Sequence, residues 1–376
     1  MMKRALILAS VASMIDQFNI PNIKLLQDLG YEIHVACNFI HGSTCSDQKI
    51  QILQKKLQEM KVLYYQIDFA RNILKIGQNL KAYQQVKAIF EQNDFDLLHC
   101  HSPIGGFIGR MVAKRYRKKG LKTLYTAHGF HFYKGAPLKN WLIYYPIEKF
   151  CSRWTDVLIT INQEDFALAR KKMKAKRVEY VPGVGIDLDK FNNIPIDQTT
   201  KRKELGIPEN ATLLLSVGEL NENKNHEVII RAIADLNIYY MIAGKGSHQQ
   251  YLQNLIDRLG LSNRVFLLGF RTDIGELLKA SNIYALPSIR EGLNVSLMEA
   301  MASGLPCIAG KIRGNIDLIN ENGGCLFCPT NVESCRQSLL EILKSDLTSL
   351  GQYNKNRICF FSQQNVLSIM KKIYNQ

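Results

Sequence analysis

The amino-acid sequence predicts an α/β protein with two doubly wound, Rossmann-like domains. A chain of 376 residues is too long to form a single ordinary hydrophobic core, and its length suits two domains of roughly 100 to 200 residues each. Short apolar segments alternate with helical patterns, as in parallel sheets covered on both faces. This alternation stops at a polar stretch, residues 192–204, and then restarts without a sequence repeat. We therefore predict a linker near residues 186–204.

The first half contains six predicted strands, separated by helical patterns. The strands are ALILAS (5–10), YEIHVAC (31–37), KVLYYQID (61–68), FDLLHCH (95–101), LKTLYTAHG (121–129) and DVLITIN (156–162). The clearest helical patterns lie at residues 14–29, which end before Gly30, and at residues 79–92 and 105–120. This order predicts a first domain over residues 1–190.

The second half repeats the same architecture. Its strands are TLLLSVGEL (212–220), IYYMIAG (238–244), VFLLGF (265–270), IYALPS (283–288) and PCIAG (306–310), and helices are predicted at 225–236 and 247–259. We predict a second domain over residues 191–355 and a C-terminal helix, 356–376, that packs back on the first domain. The two domains should face each other across a cleft. Ligands of such sheets bind at the carboxyl ends of strands, so the residues after each strand are the functional candidates.

The net charge of +15 is concentrated in the first half. Residues 1–180 contain 28 lysines and arginines against 14 aspartates and glutamates. Such an asymmetry indicates an anionic partner, such as a nucleic acid, an acidic membrane surface or a phosphorylated acceptor. A solvated basic face that serves solubility is the alternative.

Cysteine usage and hydropathy favour a cytoplasmic protein. Nine cysteines without a regular spacing fit a reducing compartment better than a disulfide framework. No apolar run approaches the ~20 residues that span a bilayer, and Asp16 interrupts the apolar opening too early for a signal peptide.

The strongest local signal is SIREGLNVSLMEAMASGLPCIAG, residues 288–310. A strand leads into a loop with Arg290 and Glu291, and a helix is predicted to begin near Asn294, with Glu299 in its second turn. The backbone amides at a helix start favour phosphate. Two carboxylates that flank such a start suit an extended ligand with hydroxyl-bearing rings around a diphosphate. The alternative is ordinary helix capping with Glu299 on a solvated face.

This segment resembles the E-x7-E motif of retaining glycosyltransferases of family 4, the capsular and exopolysaccharide group with the GT-B fold. The resemblance extends over nearly the whole chain. It implies that Glu291 contacts the donor sugar and Glu299 the ribose of the nucleotide. It also implies that Gly292, Leu293 and Asn294, which join them, contribute to the donor site.

A second segment, SVGELNENKNHE (216–227), is similar to the family's G-R-x4-K element, whose basic pair neutralises the diphosphate leaving group. Gly218 and Lys224 match this element, but Glu219 stands at the arginine position. We expect Arg290, or else Arg313, to replace the missing cation. The resemblance assigns catalytic roles to Lys224 and Glu291; an ordinary surface lysine is the alternative for Lys224.

Four further residues follow strands of the second half and are predicted to line the nucleotide pocket. They are Gly244, Gly246, Gly269 and Phe270. Small residues at such positions let a ligand approach the backbone. In the resembling family, the main chain near Gly269 and Phe270 reads the base.

The first half places His99, His101, His128 and His131 near two strand ends. The region around His128 resembles the family's active-site histidine, which lies close to the transferred sugar. We assign His101 and His131, together with Ser10 and Ser13 after the first strand, to the acceptor side. A zinc site is the alternative for the four histidines, and a purely structural role is the further alternative for His99, His101 and His131.

No essential metal or cofactor is predicted. Two strings, Asp94-Phe95-Asp96 and Asp187-Leu188-Asp189, match the DxD metal motif of another glycosyltransferase fold, but one precedes a strand and the other lies in the linker. Neither position suits a donor diphosphate.

Two basic helical patterns, residues 110–122 and 164–177, and the aromatic stretch between them, residues 139–154, predict a surface that contacts an anionic membrane. The resemblance implies an acceptor saccharide on a polyprenyl diphosphate carrier. We therefore expect a cytoplasmic protein that associates peripherally with the inner face of the membrane.

The function predicted from the sequence is transfer of a hexosyl or N-acetylhexosaminyl group, with a UDP-sugar as the expected donor, to such an acceptor in capsule or exopolysaccharide synthesis. A sugar-nucleotide epimerase on the same fold would use the donor alone. A nucleic-acid-binding protein is a third reading of the charge, but no known nucleic-acid module is present.

Overall fold

The computed structural model describes residues 2–41, 46–192 and 194–376. The chain forms two compact units: an N-terminal unit of residues 1–184 and 366–376, and a C-terminal unit of residues 185–365. The division at 184 precedes the predicted domain boundary at 190. The earlier division arises because Ile186 is hydrogen-bonded to the C-terminal unit. Its N–H donates to the Phe361 carbonyl (3.0 Å) and its carbonyl accepts from the Gln363 N–H (2.8 Å).

The N-terminal unit contains a seven-stranded parallel sheet, in the order β3-β2-β1-β4-β5-β6-β7. The strands are β1 (Lys3–Leu8), β2 (Tyr31–Cys37), β3 (Leu63–Gln66), β4 (Leu97–His101), β5 (Lys122–Ala127), β6 (Val157–Thr160) and β7 (Arg177–Tyr180). Strand β7 was not among the predicted strands. It lies at the sheet edge with all four residues half-buried, so neither an apolar run nor a clean alternation marks it.

Helices α1 to α7 follow in chain order among the described residues of this unit. They are α1 (Ala12–Phe18), α2 (Ile20–Asp28), α3 (Asp47–Glu59), α4 (Ile76–Gln92), α5 (Pro103–Ala113), α6 (Leu138–Cys151) and α7 (Gln163–Lys172). The predicted single helix over 14–29 is wrong. Pro21 stands in the first turn of α2 and has no N–H to continue an earlier helix, and the Asn19 side chain donates to the Met14 carbonyl (2.9 Å) at the break.

The C-terminal unit contains a six-stranded parallel sheet, in the order β10-β9-β8-β11-β12-β13. The strands are β8 (Thr212–Val217), β9 (Ile238–Ala243), β10 (Val265–Gly269), β11 (Ile283–Leu286), β12 (Cys307–Gly310) and β13 (Gly324–Phe327). Edge strand β13 was missed because its four residues begin with glycine. Both sheets are parallel and have helices on their two faces, as the alternation predicted, and the fold is that of two Rossmann-like units.

Helices α8 to α17 complete the chain. They are α8 (Asp189–Asn192), α9 (Gln198–Glu204), α10 (His226–Ala232), α11 (Gln249–Arg258), α12 (Ile274–Ala280), α13 (Val295–Ala302), α14 (Asn315–Leu318), α15 (Val332–Leu343), α16 (Leu347–Ile358) and α17 (Gln363–Asn375). Helices α8 and α9 occupy the region predicted as linker. Buried Lys201 fixes α9 to α12 through ion pairs with Asp273 and Glu276, each 2.7 Å.

Most of α17 belongs to the N-terminal unit, whereas α16 belongs to the C-terminal unit. Val366, Met370, Ile373 and Tyr374 are buried in the core beside β1 and β2. Residues 356–365, predicted as part of this terminal segment, lie in the C-terminal unit instead. Within the described residues, we find no helix that combines the length and apolarity needed to cross a bilayer.

Candidate active site

An ion pair joins the loops that follow β8 and β11, two neighbouring strands of the C-terminal sheet. Lys224 Nζ lies 2.7 Å from Glu291 Oε1. Both side chains are mostly buried, with 17% and 14% exposed, so solvent screens this pair less than an open surface pair. The lysine stem passes over Gly218, where a Cβ would lie 3.3 Å from Lys224 Cε. The sequence separates the two residues, and the parallel sheet brings them together.

Asparagines of the β8 loop hold the β11 loop in place. Asn223 accepts a hydrogen bond from the Ile289 N–H (2.8 Å) and its side chain donates to the Arg290 carbonyl (3.0 Å). Asn225 adopts a left-handed conformation, with φ of 52°, and donates to the Pro287 carbonyl (3.2 Å). The position of Glu291 therefore depends on side chains that lie more than 60 residues earlier.

Helix α13 begins where the sequence predicts it. The Asn294 side chain caps the helix by accepting from the Leu297 N–H (3.0 Å), and the Ser296 hydroxyl donates to the Val217 carbonyl at the end of β8 (3.0 Å). Gly292 and Leu293 connect this cap to Glu291. The helix start and the Lys224–Glu291 pair thus lie at the same edge of the sheet.

Glu299 lies in the second turn of α13 and is only partly exposed. Burial raises the pKa of its carboxyl to about 7, although Lys190 opposes the shift. Its carboxylate makes no hydrogen bond with any other described residue. A partly buried acid without a partner is a costly arrangement that a ligand with hydroxyl groups would relieve.

Two arginines, both predicted as candidates for the second cation, adjoin Glu291 or contact its backbone carbonyl. Arg290 is exposed beside Glu291. Arg313 is buried, 6% exposed, and its Nε donates to the Glu291 carbonyl (3.2 Å). Glu219, which stands at the arginine position of the resembling motif, is exposed. Arg290 is thus the more accessible of the two predicted substitutes.

The N-terminal unit places three of its histidines side by side. His101 Nδ1 lies 3.1 Å from His128 Nε2, and the His99 ring lies 4.1 Å from that of His101. Burial lowers the pKa of His128 to about 4 and that of His99 to about 3, and it lowers the pKa of His101 well below its ordinary value. All three are neutral near pH 7.

Hydroxyl groups fix His99 within this row. Its Nδ1 lies 2.9 Å from the Tyr374 hydroxyl of α17, and its Nε2 lies 2.8 Å from Thr126 Oγ1. With both ring nitrogens engaged by hydroxyls, His99 has no free nitrogen for a metal. In the described part of the chain, no group of three or more His, Cys, Asp or Glu side chains is arranged as a metal site.

His131 lies apart from the other histidines, stacked on Tyr144 with ring centroids 4.5 Å apart. It lines a cavity of about 440 Å³ together with Ser10. The Ser10 hydroxyl lies 2.5 Å from that of Ser102 and accepts from the Gly105 N–H (3.1 Å). Ser13 is buried within α1 and does not line this cavity. Of the residues assigned to the acceptor side, Ser10 and His131 therefore share one pocket.

Family models match both halves of the chain. The model for Glycosyl transferase 4-like proteins matches residues 7–162, and that for Glycosyl transferases group 1 matches residues 197–357. A relative from Bacillus subtilis, called putative glycosyltransferase EpsD, is 35% identical over 100% of this chain and 97% of its own length.

The chain belongs to the family-4-like glycosyltransferases.

This glycosyltransferase is also 27% identical to an Escherichia coli UDP-Gal:alpha-D-GlcNAc-diphosphoundecaprenol alpha-1,3-galactosyltransferase, over 97% of this chain and 93% of that protein. Among solved structures, Anabaena HepE in complex with UDP and glucose matches with a TM-score of 0.79 at 18% identity, covering 100% of both chains. Sucrose-phosphate synthase from Thermosynechococcus elongatus matches with a TM-score of 0.77 at 20% identity, over 100% of this chain and 99% of that one. The predicted GT-B fold is thereby confirmed.

In this glycosyltransferase, backbone packing requires glycine at positions 244 and 246, a reason that the sequence analysis did not include. A Cβ on Gly244 would lie 1.8 Å from the Gly218 carbonyl oxygen, and one on Gly246 would lie 2.2 Å from that of Leu220. Both glycines let the β8 loop approach the β9 loop. Gly269 accepts a hydrogen bond from the Gly244 N–H (2.8 Å), and Phe270 beside it is 63% exposed.

We expect Gly244→Ala to displace the loop that contains Lys224, because the new methyl group would overlap backbone rather than a flexible side chain. Overpacking of this kind costs about 1–3 kcal/mol or more. Denaturant titration should show that loss, together with weaker donor binding. Gly77→Ala is the control, since nothing lies within 4 Å of its added Cβ; stability changes of equal size in the two variants would contradict this role.

Asn225 and Ser296 of the glycosyltransferase were missed by the sequence analysis. Asn225 joins three loops, since it also donates to the Pro329 carbonyl (2.7 Å), and Ser296 links α13 to β8. An asparagine directly before a helix tolerates positive φ, which is the local signal that was present. The hydrogen bonds of Ser296 with Tyr284 and with the Val217 carbonyl involve residues that lie 12 and 79 positions earlier, so no local pattern indicated them.

Proposed function

We propose that this glycosyltransferase moves a hexose or N-acetylhexosamine from a UDP-sugar to a saccharide on a polyprenyl diphosphate carrier, with retention of the anomeric configuration. The reaction takes place at the cytoplasmic face of the membrane, in capsule or exopolysaccharide synthesis. The supporting observation is the Lys224–Glu291 pair beside the start of α13. The donor binds the C-terminal unit and the acceptor binds the N-terminal unit.

In the proposed donor site, separate protein groups contact the diphosphate, the sugar and the ribose of the donor. Lys224 and the backbone amides at the start of α13 offer positive charge to the diphosphate. Glu291, next to Lys224, accepts hydrogen bonds from sugar hydroxyls. Glu299 lies four residues beyond Val295, about 6 Å along the helix, and accepts from the ribose. When the donor binds, Lys224 gives up part of its contact with Glu291 and contacts the phosphate oxygens instead.

Two relatives support the choice of substrates. Anabaena HepE forms complexes with UDP and glucose and with UDP-glucose, which favours a UDP-sugar donor. The E. coli relative is named for a UDP-galactose donor and a diphosphoundecaprenol-linked sugar acceptor. The B. subtilis relative shares this chain's full length, and its name is that of a glycosyltransferase.

The transfer step in this proposal needs no covalent enzyme intermediate. The bond between the anomeric carbon and the phosphate oxygen breaks, and the acceptor oxygen bonds to the same face of that carbon. The acceptor proton passes to the departing phosphate. Lys224 stabilises the charge that develops on the diphosphate. The proposal assigns the diphosphate to protein cations and no essential metal.

A donor panel tests this proposal. Purified protein is given labelled UDP-glucose, UDP-galactose, UDP-N-acetylglucosamine or UDP-N-acetylgalactosamine together with polyprenyl diphosphate saccharides from membranes. We expect one donor to label the lipid fraction with an α-linked sugar, also in the presence of EDTA. Incubation with donor alone is the control. Epimerised donor, a β-linked product or no transfer from any donor would contradict the proposal.

A further inference from the structure

A small cavity inside the N-terminal unit is lined by two side chains with buried atoms that lack a hydrogen-bond partner. Its volume is about 20 Å³, and a single water needs about 10–15 Å³. Asn22 and His101 both line it, and no described residue pairs with Asn22 Oδ1 or His101 Nε2. Thr126 and His128 complete its polar lining, and the other residues around it are apolar. Buried polar atoms without a partner are costly, so two of them beside one water-sized space point to a ligand.

The side-chain amide of Asn22 presents an acceptor to this cavity. The Asn19 side chain donates to the Met14 carbonyl (2.9 Å), which identifies its nitrogen and leaves its oxygen to accept. Asn22 Nδ2 donates to that oxygen (3.4 Å), so the remaining polar atom of Asn22, at the cavity, is Oδ1. A ligand in the cavity must therefore donate a hydrogen bond to Asn22.

The hydroxyl of Tyr374 determines where His99 carries its hydrogen. Tyr374 is buried, and among the described residues its hydroxyl is hydrogen-bonded only to His99 Nδ1 (2.9 Å). A buried O–H that does not donate is costly, so the hydroxyl donates and His99 Nδ1 accepts. Neutral His99 then carries its hydrogen on Nε2 and donates to Thr126 Oγ1 (2.8 Å). The Thr126 O–H is left to donate into the cavity that Thr126 lines.

One water would satisfy all three groups at the cavity. It would accept from the Thr126 hydroxyl and donate to Asn22 Oδ1 and His101 Nε2, and about three hydrogen bonds are usual for a buried water. With Nε2 accepting, neutral His101 carries its hydrogen on Nδ1 and donates to His128 Nε2 (3.1 Å). His128 is neutral as well, so its own hydrogen lies on Nδ1.

We infer that the cavity binds one water, and that this water, acting through His101, holds His128 in the tautomer with its hydrogen on Nδ1. His128 follows β5 at the carboxyl edge of the sheet, where ligands of such sheets bind, and its side chain is partly exposed. Its Nδ1 makes no hydrogen bond with any other described residue, so the N–H is available to an oxygen of a bound substrate. The inference rests on the proposed function, which it deepens by making Tyr374, Thr126 and His101 positioning residues.

Nitrogen-15 NMR on protein labelled at histidine tests the tautomers without any substrate. A ring nitrogen that carries hydrogen and one that does not have separate chemical shifts, and single substitutions assign the signals. We expect the hydrogen of His99 on Nε2 and those of His101 and His128 on Nδ1. A hydrogen on Nε2 of His128, or an average of the two forms, would overturn the inference.

A high-resolution crystal structure of the wild-type protein tests the water itself. We expect density for one water within hydrogen-bond distance of Thr126 Oγ1, Asn22 Oδ1 and His101 Nε2. A cavity without such density would contradict the inference, because nothing would then direct His101 Nε2 to accept.

Substitutions of His101 test the positioning role. His101→Leu removes the donor to His128 and is expected to lower kcat about tenfold without changing the affinity for UDP. His101→Asn should recover most of this loss, because its amide can donate from the position of Nδ1. His34→Leu is the matched control, since His34 is also fully buried in this sheet but bonds to Tyr65 and Glu32. Equal losses of kcat in the two leucine variants, or no recovery in His101→Asn, would refute the role.

Calorimetry with UDP separates this inference from the proposed function. Wild-type protein that fails to bind UDP refutes the proposed function, whatever the tautomers are. Wild-type protein that binds UDP but carries the His128 hydrogen on Nε2 refutes only the inference.

Discussion

Replacing Glu299 with glutamine is expected to stabilise the C-terminal unit at pH values above about 7 and to weaken donor binding. The reason is the burial that raises the pKa of the Glu299 carboxyl from 4.5 to about 7. Ionised Glu299 is costly in the folded protein because no described residue donates a hydrogen bond to it. Glutamine has nearly the same shape and no charge to bury.

The pH dependence of this gain follows from the direction of the shift. A carboxyl with a raised pKa in the folded state stabilises the fold below its unfolded pKa of 4.5, and that contribution is lost as the pH rises through about 7. The full penalty in the wild type is about 3 kcal/mol. We therefore expect Glu299→Gln to gain up to about 3 kcal/mol near pH 8 and little near pH 5.

Urea titrations near pH 5 and pH 8 measure this difference. Glu321→Gln provides the matched control, because Glu321 is exposed and the substitution removes the same charge. A gain for Glu299→Gln that is equal at both pH values, or a loss near pH 8, would show that burial of the charge is not what shifts this carboxyl.

Donor binding should change in the opposite sense. We expect about tenfold weaker UDP binding, because in the proposed donor site the carboxylate accepts hydrogen bonds from two vicinal hydroxyls, whereas the amide of glutamine has one oxygen for them. Binding to the wild type should strengthen as the pH rises through about 7, since only the ionised form accepts at both oxygens. Calorimetric titration with UDP across this range should show no such rise for Glu299→Gln. Equal pH profiles would remove Glu299 from the donor site.

Lys224→Met is expected to lower kcat by about 10²- to 10³-fold. A preorganised group that meets charge as it develops in the transition state contributes this much in other enzymes. Methionine preserves the stem that lies over Gly218 but lacks the ammonium group. The residual rate would depend on Arg290 and on the start of α13, so Lys224→Met/Arg290→Met should be slower than either single variant.

Single-turnover transfer measures this step without product release. Lys344→Met is the control, because it removes an exposed lysine at the C-terminal end of α15. A fall in donor affinity without a fall in kcat would make Lys224 a binding residue only. An unchanged rate would remove it from the site altogether.

The sequence predicted the elements of this fold better than their boundaries. Strand β4 is buried along its whole length and β1 over its last four residues, and both are recognisable in the sequence as apolar runs. Edge strands β7 and β13 have only four residues each and depend on pairing with neighbours that the sequence does not show. The predicted linker contains helix α9, which the sequence did not indicate because its outer surface is polar and it is held by the contacts of Lys201.

In the candidate site, too, local features could be predicted from the sequence and long-range contacts could not. Asn294 and Glu299 were predictable because a helix cap and its second turn are local features. The 2.7 Å contact between Lys224 and Glu291 depends on β8 and β11 being neighbours in the sheet, which a local pattern cannot give. The raised pKa of Glu299 depends on burial by residues from several elements, so it too was beyond prediction.

Helix α17 has a consequence for how the protein is made. Val366, Met370, Ile373 and Tyr374 fill part of the N-terminal core, yet they are synthesised after the whole C-terminal unit. During translation the first seven strands are made before these side chains, so part of the N-terminal core is missing until α17 has been synthesised. His99 likewise lacks the Tyr374 hydroxyl as a hydrogen-bond partner until then. The unit that begins synthesis first therefore cannot complete its core until the C-terminal residues have been made.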